Sequence, residues 1–211
     1  MATLQEISEL LQQGRAPKVT KAVQAAIDEG ISPKDILEKG LLEGMSIIGE
    51  KFKNNEVFVP EVLVAARAMN KGIDVLKPHL IDEDIEKKGT VIIGTVKGDL
   101  HDIGKNLVRM MMEGKGLEVI DLGTDVAPQK FIDVAKEKNA QIIACSALLT
   151  TTMNEMKTVV ELVKNEGLND KVKVMVGGAP ITQSFSDSIG ADKFTTDAAT
   201  AASAALELCT S

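Results

Sequence analysis

The chain has 211 residues, of which 44% are hydrophobic and 26% charged, so it is long and apolar enough for one or two globular domains. Its net charge of −7 gives no electrostatic reason to bind nucleic acid, and without tryptophan or tyrosine it lacks the rings that most often stack on bases. The N-terminal sequence is not that of a secretory signal, and no apolar stretch reaches the ~18 residues of a membrane span. We therefore expect a cytoplasmic protein that binds neither nucleic acid nor membrane.

The first 80 or so residues have apolar positions at helical spacing throughout, which predicts a bundle of four short helices. The breaks between these helices fall at three places: Gly14 with Pro17, Ser32 with Pro33, and Asn54 with Asn55. Ser32 is typical of a helix start, because its hydroxyl can accept the free amide of Asp35 while Pro33 occupies the first helical position.

After Gly89 the pattern changes to short β-branched runs that alternate with helical segments. Strands are predicted at 91–96, 117–122, 141–146, 172–176 and, shortest, 193–195. Helices are predicted at 104–113, 129–138, 152–165, 181–188 and 198–208. This alternation is typical of an α/β fold. We expect a flavodoxin-like, Rossmann-like five-stranded parallel sheet over 89–211, preceded by a four-helix bundle over 1–88 whose charged end, 82–88, is the linker.

Ligands of such sheets bind at the carboxyl ends of the strands, which directs attention to the loops there. The loop after the first predicted strand contains His101, with Asp99 two residues earlier. A carboxylate at this spacing can accept a hydrogen bond from one ring nitrogen and leave the other as a neutral metal ligand. Gly98 and Gly104 let a bulky group approach the backbone. A solvated surface histidine is the alternative interpretation.

Two further loops have unusual composition. The third predicted strand ends in Ser146, and hydroxyl residues follow at 150–152, where the alternative to a binding role is a helix cap. The fourth ends in Gly177-Gly178-Ala179, which is either a tight turn or a floor of bare backbone for a flat ligand. Cys145, within an apolar run, is interpreted as a small buried hydrophobic residue.

Together these loops resemble a known signature. Three short motifs are similar in residue type and in both spacings to the cobalamin-binding signature of the methionine-synthase type. They are Asp99-x-His101-x-x-Gly104, Ser146-x-Leu148 after a further 41 residues, and Gly177-Gly178 after a further 28 residues. The segments 44–52 and 58–63 resemble the helical cap that precedes this module in methyl-transferring proteins. The resemblance covers about residues 4–209 and is nearest to the corrinoid proteins of methylamine, methanol, methoxyarene and betaine methyltransferase systems.

The resemblance implies a cobamide cofactor, cobalamin or a related corrinoid, bound base-off and His-on. It implies that His101 is the cobalt ligand, Asp99 its hydrogen-bond partner and Ser146 the next member of a proton path. Leu148, Gly177 and Gly178 are implied as walls of the channel for the displaced tail. The predicted cofactor-contacting set is completed by Gly98, Leu100, Asp102, Ile103, Gly104, Val108, Thr150 and Ala179, and by Met45 and Phe52 of the cap. Ordinary bundle core is the alternative for Met45 and Phe52.

The function implied is that of a methyl carrier, the non-catalytic corrinoid subunit of a methyltransferase system. It would accept a methyl group on cobalt from a substrate-specific methyltransferase and pass it to a second methyltransferase, whose acceptor is tetrahydrofolate or coenzyme M. A reductive activase is a further expected partner, and the apolar surface of the cap is compatible with a homodimer.

Three other interpretations stay open at the level of sequence. The cobalamin-binding subunit of an adenosylcobalamin mutase shares the signature but does not, as a family, have this cap. A cobalamin-dependent sensor would carry a DNA-binding domain before the cap. A receiver domain of similar topology would place an aspartate at the end of the third strand, where this chain has Ser146.

Overall fold

The computed structural model describes residues 3–79 and 88–210. The chain divides into two compact units, Met1–Glu86 with Gly114–Gly116, and Lys87–Glu113 with Leu117–Ser211. We call them the helical unit and the sheet unit. The segment 82–88 predicted as a linker lies, apart from Lys88, outside the described residues, so the domain boundary placed there stays a prediction.

The helical unit contains the predicted bundle, with one irregularity. Its elements are α1 (Leu4–Gln12), α2 (Ala16–Asp28), α3 (Pro33–Asp35), a π-helical segment (Ile36–Leu42), α4 (Glu43–Lys53), α5 (Val59–Leu76) and a 3₁₀ turn (Lys77–His79). The third predicted helix is thus α3, the π-helical segment and α4 in unbroken succession. The apolar stripe continues through all three, which is why the change of helix type could not be read from it.

Local signals and packing explain why these helices form. The Ser32 hydroxyl accepts a hydrogen bond from the Asp35 amide at 3.4 Å, which confirms the predicted cap. The Glu61 carboxylate accepts one from the Phe58 amide at 3.0 Å, at the start of α5. Helix α5 packs against α2, and α1 packs against the π-helical segment and α4. The core between them consists of fully buried side chains that include Ile7, Leu11, Val23, Leu41 and Met69.

The sheet unit has the predicted topology. Its strands are β1 (Thr90–Thr95), β2 (Glu118–Asp121), β3 (Ile142–Ser146), β4 (Lys173–Gly177) and β5 (Lys193–Phe194). All pairs are parallel and the order is β2-β1-β3-β4-β5, which confirms the flavodoxin-like arrangement. The helices are α6 (Ile103–Glu113), α7 (Pro128–Lys138), α8 (Asn154–Asn165), α9 (Gln183–Ile189) and α10 (Ala198–Thr210).

Helices cover both faces of the sheet. On one face α7, α8 and α9 form a continuous core with alternate strand residues such as Ile92, Ile143 and Val174. The strand residues between them, such as Ile93 and Met175, are buried on the opposite face, where α6 and α10 pack against each other. Because β1 and β3 are neighbours and their following helices, α6 and α8, lie on opposite faces, the switch point of the sheet, where ligands of such folds bind, lies between the loops after β1 and β3.

No helix within 3–79 or 88–210 combines the length and the apolar character needed to cross a membrane.

The buried thiol of Cys145 gives a test of the sheet core. Its side chain is only 3% exposed, as the sequence predicted, and burial raises the pKa of the thiol to about 12. Cys209 is half-buried. Burial raises the pKa of Cys209 too, but that thiol is still partly accessible. Because the thiolate is the reactive species, we expect iodoacetamide at pH 8 to modify Cys209 slowly and Cys145 not at all in the folded protein, and both after denaturation. Mass spectrometry checks this, with Cys209→Ser as control, and native-state modification of Cys145 would contradict it.

Candidate functional site

The loop after β1 is held in place by hydrogen bonds on both sides. The Thr95 hydroxyl donates to the carbonyl of His101 at 2.7 Å. The Gly98 amide donates to the Asp125 carboxylate at 2.7 Å, and the Asp125 amide donates to the carbonyl of Asp99 at 3.0 Å. Gly98 has φ +82°, a conformation that glycine adopts without strain. The loop that carries the histidine is therefore fixed by strand β1 and by the loop after β2.

A buried carboxylate connects this loop to the loop after β3. The Asp99 side chain is 0% exposed and accepts hydrogen bonds at both oxygens. Oδ1 lies 3.0 Å from the His101 amide and 2.7 Å from His101 Nδ1. Oδ2 lies 2.7 Å from the Leu148 amide, 3.1 Å from the Leu149 amide and 3.2 Å from Thr152 Oγ1. One side chain thus joins segments about 50 residues apart in the chain.

The ionisation of Asp99 determines how the imidazole is presented. Burial by itself would raise the pKa of this carboxyl group, but hydrogen bonds from Leu148, His101 and Leu149 together outweigh burial and hold the pKa well below its usual range. An ionised carboxylate only accepts, so Nδ1 of His101 donates to Asp99, and in a neutral imidazole the free lone pair is then on Nε2. The His101 side chain is 52% exposed, so this nitrogen is accessible to a ligand.

Exposed apolar side chains lie on the two loops that Asp99 connects and at the start of α6. The exposed large hydrophobic residues of the sheet unit, within its described part, are Leu100, Ile103, Leu148 and Leu149, with exposures of 73%, 75%, 43% and 39%. All four belong to the loops after β1 and β3 or to the start of α6, and we call them the apolar collar. A cluster of this kind is costly to leave in water and marks a binding surface for an apolar group.

The end of β4 approaches the end of β3 closely. The Ala147 amide donates to the carbonyl of Gly177 at 3.2 Å. Gly178 has φ +133°, and a Cβ atom there would lie 1.8 Å from the Ala147 carbonyl oxygen. At Gly177, by contrast, a Cβ atom would meet only the Thr195 carbonyl oxygen, at 3.9 Å. Gly178 is needed for packing between strand ends, while Gly177 borders open space.

The other predicted contact residues are spread over both units. Gly104, Asp102, Thr150 and Ala179 are exposed near the carboxyl ends of the strands, and Val108 is half-buried on α6. Ser146 ends β3, but in the described part of the chain its hydroxyl makes no hydrogen bond, and Thr152 contacts Asp99 instead. Met45 is buried in the core of the helical unit, and Phe52 is half-buried there. Cofactor contact by these residues stays a prediction.

The sequence analysis did not predict the buried ion pair that joins helix α6 to the end of β2. Lys105, 2% exposed, forms an ion pair with Asp121 at the end of β2, which also accepts from Arg109 at 3.4 Å. Burial opposes ionisation of Asp121, but the hydrogen bonds from Lys105 and the Gly123 amide outweigh it and lower its pKa. The sequence did indicate that Lys105 would be buried, because Lys105 precedes the fully buried Met112 by seven residues and so lies on the same helix face.

Comparison with known proteins agrees with this geometry. Residues 89–206 match the family model of the B12 binding domain, and residues 3–77 match a second model with the same description. A dimethylamine corrinoid protein of Methanosarcina barkeri is 46% identical over 207 residues, which cover 97% of this chain and 96% of that protein. The chain belongs to the corrinoid protein family. Its cofactor is therefore a cobamide, as the resemblance of the loops predicted.

Solved structures of corrinoid proteins have the same fold. The methanol:cobalamin methyltransferase complex of Methanosarcina barkeri contains a chain that matches with a TM-score of 0.88 and 30% identity, over 96% of this chain and 78% of that one. A cobalamin-binding protein of Desulfitobacterium hafniense matches with a TM-score of 0.80 and 30% identity, over 99% of both chains. The predicted fold class and family are thus confirmed, and the receiver-domain interpretation is excluded.

The described residues fit a cobamide. Asp99 fixes the tautomer of His101 that, in a neutral imidazole, leaves the lone pair on Nε2. The apolar collar offers exposed hydrocarbon on the loops that meet at the Asp99–His101 pair. A Cβ atom at Gly104 would have nothing within 4 Å, so the backbone there is open to an approaching group. A single imidazole suits a metal whose other ligands come from a macrocycle.

Proposed function

We propose that the chain is a corrinoid methyl carrier, which receives a methyl group from a substrate-specific methyltransferase and delivers it to a second methyltransferase that uses tetrahydrofolate or coenzyme M. When bound, the corrinoid supplies the cobalt that takes up and releases the methyl group. The observation that carries the proposal is the His101–Asp99 pair, at 2.7 Å, within the apolar collar. In this proposal the partner enzymes hold the substrates, and the chain is the subunit between them.

The residues of the loops have distinct roles in this function. His101 would hold the cobalt through Nε2, in place of the nucleotide base of the cofactor. Asp99 orients the ring, and its charge makes the imidazole a better electron donor. The apolar collar would keep water away from the bound group. Gly177 lines the channel for the displaced nucleotide tail, where its lack of a side chain leaves space.

The comparisons favour this role over the other cobalamin functions. The match of residues 3–77 to a B12 binding domain model supports a cofactor-related role for the helical unit, which mutase subunits as a family do not have. The relatives named for dimethylamine and the complex named for methanol support a methylated amine or alcohol as the methyl donor. The same complex supports direct pairing with a methyltransferase. A reductive activase, a homodimer and a cytoplasmic location stay predictions.

Cofactor loading tests the ligand assignment. We expect the apoprotein mixed with hydroxocobalamin to retain about one corrinoid per chain through gel filtration. His101→Ala should keep the corrinoid through the tail channel but show a different absorbance spectrum, because the imidazole that would hold the cobalt is lost. His79→Ala is the matched control, since it removes the other histidine, which is exposed in the 3₁₀ turn, and should leave the spectrum unchanged.

Two results would overturn the proposal. A colourless wild-type protein would show that the site does not hold a corrinoid. A His101→Ala spectrum identical to that of the wild type would show that this imidazole does not bind cobalt. The carrier role is tested by mixing the reduced, loaded protein with a dimethylamine- or methanol-specific methyltransferase and its substrate, and then following the cobalt spectrum. Failure with every methylated amine and alcohol tried would remove the support that the relatives give.

A further inference from the structure

We propose that Asp125, in the loop after β2, is a positioning residue for the cobalt ligand: it holds the backbone that leads to His101. The inference rests on the proposed function and goes beyond it, because Asp125 lies outside the cobalamin-binding signature and was not predicted from the sequence. In the described part of the chain, Asp125 makes no hydrogen bond to the imidazole or to the Asp99 carboxylate, so it acts through the backbone.

Two hydrogen bonds join Asp125 to the loop after β1. Its Oδ1 atom accepts from the Gly98 amide at 2.7 Å, a short contact of the kind that carboxylates make with backbone donors. Its own amide donates to the Asp99 carbonyl at 3.0 Å. These groups are the two ends of the Gly98-Asp99 dipeptide. Both the place and the direction of the backbone are therefore set two residues before His101.

The backbone conformation of Asp125 supports a role for its side chain. Asp125 has φ +53°, and it is one of three non-glycine residues with positive φ within 3–79 and 88–210. Asn55 and Asn139 follow helices α4 and α7, where such residues are usual. Asp125 follows a strand, and its carboxylate binds a residue 27 positions earlier, so no local turn accounts for it. Glycine would adopt this φ without strain, but glycine could not hold Gly98.

The turn that carries Asp125 is itself fixed to β1 on both sides. The Thr95 amide donates to the Gly123 carbonyl at 3.0 Å, and the Val126 amide donates to the Thr95 carbonyl at 3.0 Å. Asp125 lies between these two contacts. It therefore offers a rigid acceptor to the Gly98 amide, and the loop after β1 is tied to a fixed point.

A buried ion pair holds the start of the same turn. The Asp121 carboxylate accepts from the Gly123 amide at 2.9 Å and pairs with Lys105 of α6, which is only 2% exposed. Lys105 is four residues after His101, so the ion pair also ties down the end of the histidine loop. The loop is thus held before His101 by Asp125 and after it by Lys105.

Loss of the Asp125 carboxylate should loosen the histidine. The Gly98 amide would then bond to water, which satisfies it but does not fix its place. Outer partners of metal-bound histidines typically contribute roughly 10–100-fold to metal affinity. Because Asp125 acts through the backbone, we expect the lower end, about tenfold weaker binding of the imidazole to cobalt.

Three variants separate the hydrogen bond from the charge and from the backbone. Asp125→Gly removes the carboxylate at a φ that glycine accepts, so the fold of the turn is kept. Asp125→Asn removes the charge but keeps an oxygen that can accept from the Gly98 amide, in a residue type that tolerates this φ. Asp133→Ala is the control, since it removes an exposed carboxylate from α7.

Two measurements are made on each variant. In the apoprotein, amide hydrogen exchange by NMR should show that Gly98 loses protection in Asp125→Gly only. After loading with hydroxocobalamin, the midpoint potential of the last one-electron reduction is recorded. A tenfold loss of imidazole binding that is confined to the oxidised form of this couple raises the potential by about 59 mV. We expect that rise in Asp125→Gly, and wild-type values in Asp125→Asn and Asp133→Ala.

The outcomes distinguish this inference from the proposed function. If His101→Ala changes the spectrum as expected but Asp125→Gly leaves the potential at the wild-type value, the role of Asp125 is wrong and the ligand assignment stands. Equal shifts in Asp125→Gly and Asp125→Asn would also contradict it, because the hydrogen bond would not be the cause. A wild type that retains no corrinoid overturns the proposed function, while the exchange of Gly98 still reports whether Asp125 holds the loop.

Discussion

The Asp99→Ala variant is expected to lose about 3 kcal/mol of unfolding free energy, although it removes a single small side chain. The amides of His101, Leu148 and Leu149 all donate to this carboxylate, and each would lose its acceptor. A buried donor without a partner costs about 1–3 kcal/mol, and water entering from the exposed side of the loops limits the total to the lower end. Urea denaturation of the apoprotein measures the loss.

Two further variants make the result specific. Asp133→Ala removes an exposed carboxylate from the middle of α7 and should change the stability by less than about 0.5 kcal/mol. Asp99→Asn keeps the size of the side chain but replaces one acceptor with a donor, so its loss should be close to that of alanine. An Asp99→Ala protein as stable as Asp133→Ala would show that the carboxylate does not hold the two loops together.

The second large effect is expected at Gly178. A Cβ atom at this position would overlap the Ala147 carbonyl oxygen, at 1.8 Å, and φ +133° is itself unfavourable for alanine. Because the clash is with backbone, the ends of β3 and β4 must separate, and we expect Gly178→Ala to cost about 3 kcal/mol and to abolish corrinoid retention.

The neighbouring glycine is the matched control for this substitution. Gly177→Ala places its methyl group 3.9 Å from the nearest atom, so the stability should change by less than about 1 kcal/mol. If Gly177 lines the tail channel, this variant should retain less corrinoid while it stays folded. Equal stability of the two variants in urea would contradict the close approach of the strand ends.

Much of the fold follows from periodicity in the sequence. The strands were predicted within a residue or so of their observed ends, because β-branched runs such as Val91-Ile92-Ile93 are buried on both faces of a parallel sheet. The pairing order is typical of five alternating strands and helices. Strand β5 has only the two residues Lys193–Phe194, and its predicted range was the shortest of the five. The π-helical segment could not be predicted, because the apolar residues of the third predicted helix keep their helical spacing through it.

The contact between Asp99 and His101 could be predicted from the sequence, but the contacts of Asp99 with the loop after β3 could not. His101 and Asp99 are two positions apart, so local geometry alone brings them together, and the hydrogen bond was expected. The link to the loop after β3 depends on which of several hydroxyls points at the carboxylate, and that depends on the path of the turn before α8. The family resemblance implied Ser146, whereas the turn directs Thr152 to Asp99.

The contacts of Asp99 determine how much of the chain would be needed to transfer this site to another protein. The carboxylate is held by donors from residues 148–152, which lie 49 to 53 positions further along the chain. Such a contact forms only after β1 and β3 have paired, so the ligand geometry is a late product of folding. Grafting the loop 97–104 alone would transfer the Asp99–His101 pair without the donors that hold the Asp99 carboxylate in place. The smallest transplantable unit therefore includes β1 with its loop, Asp125 after β2, and β3 with the turn that follows it.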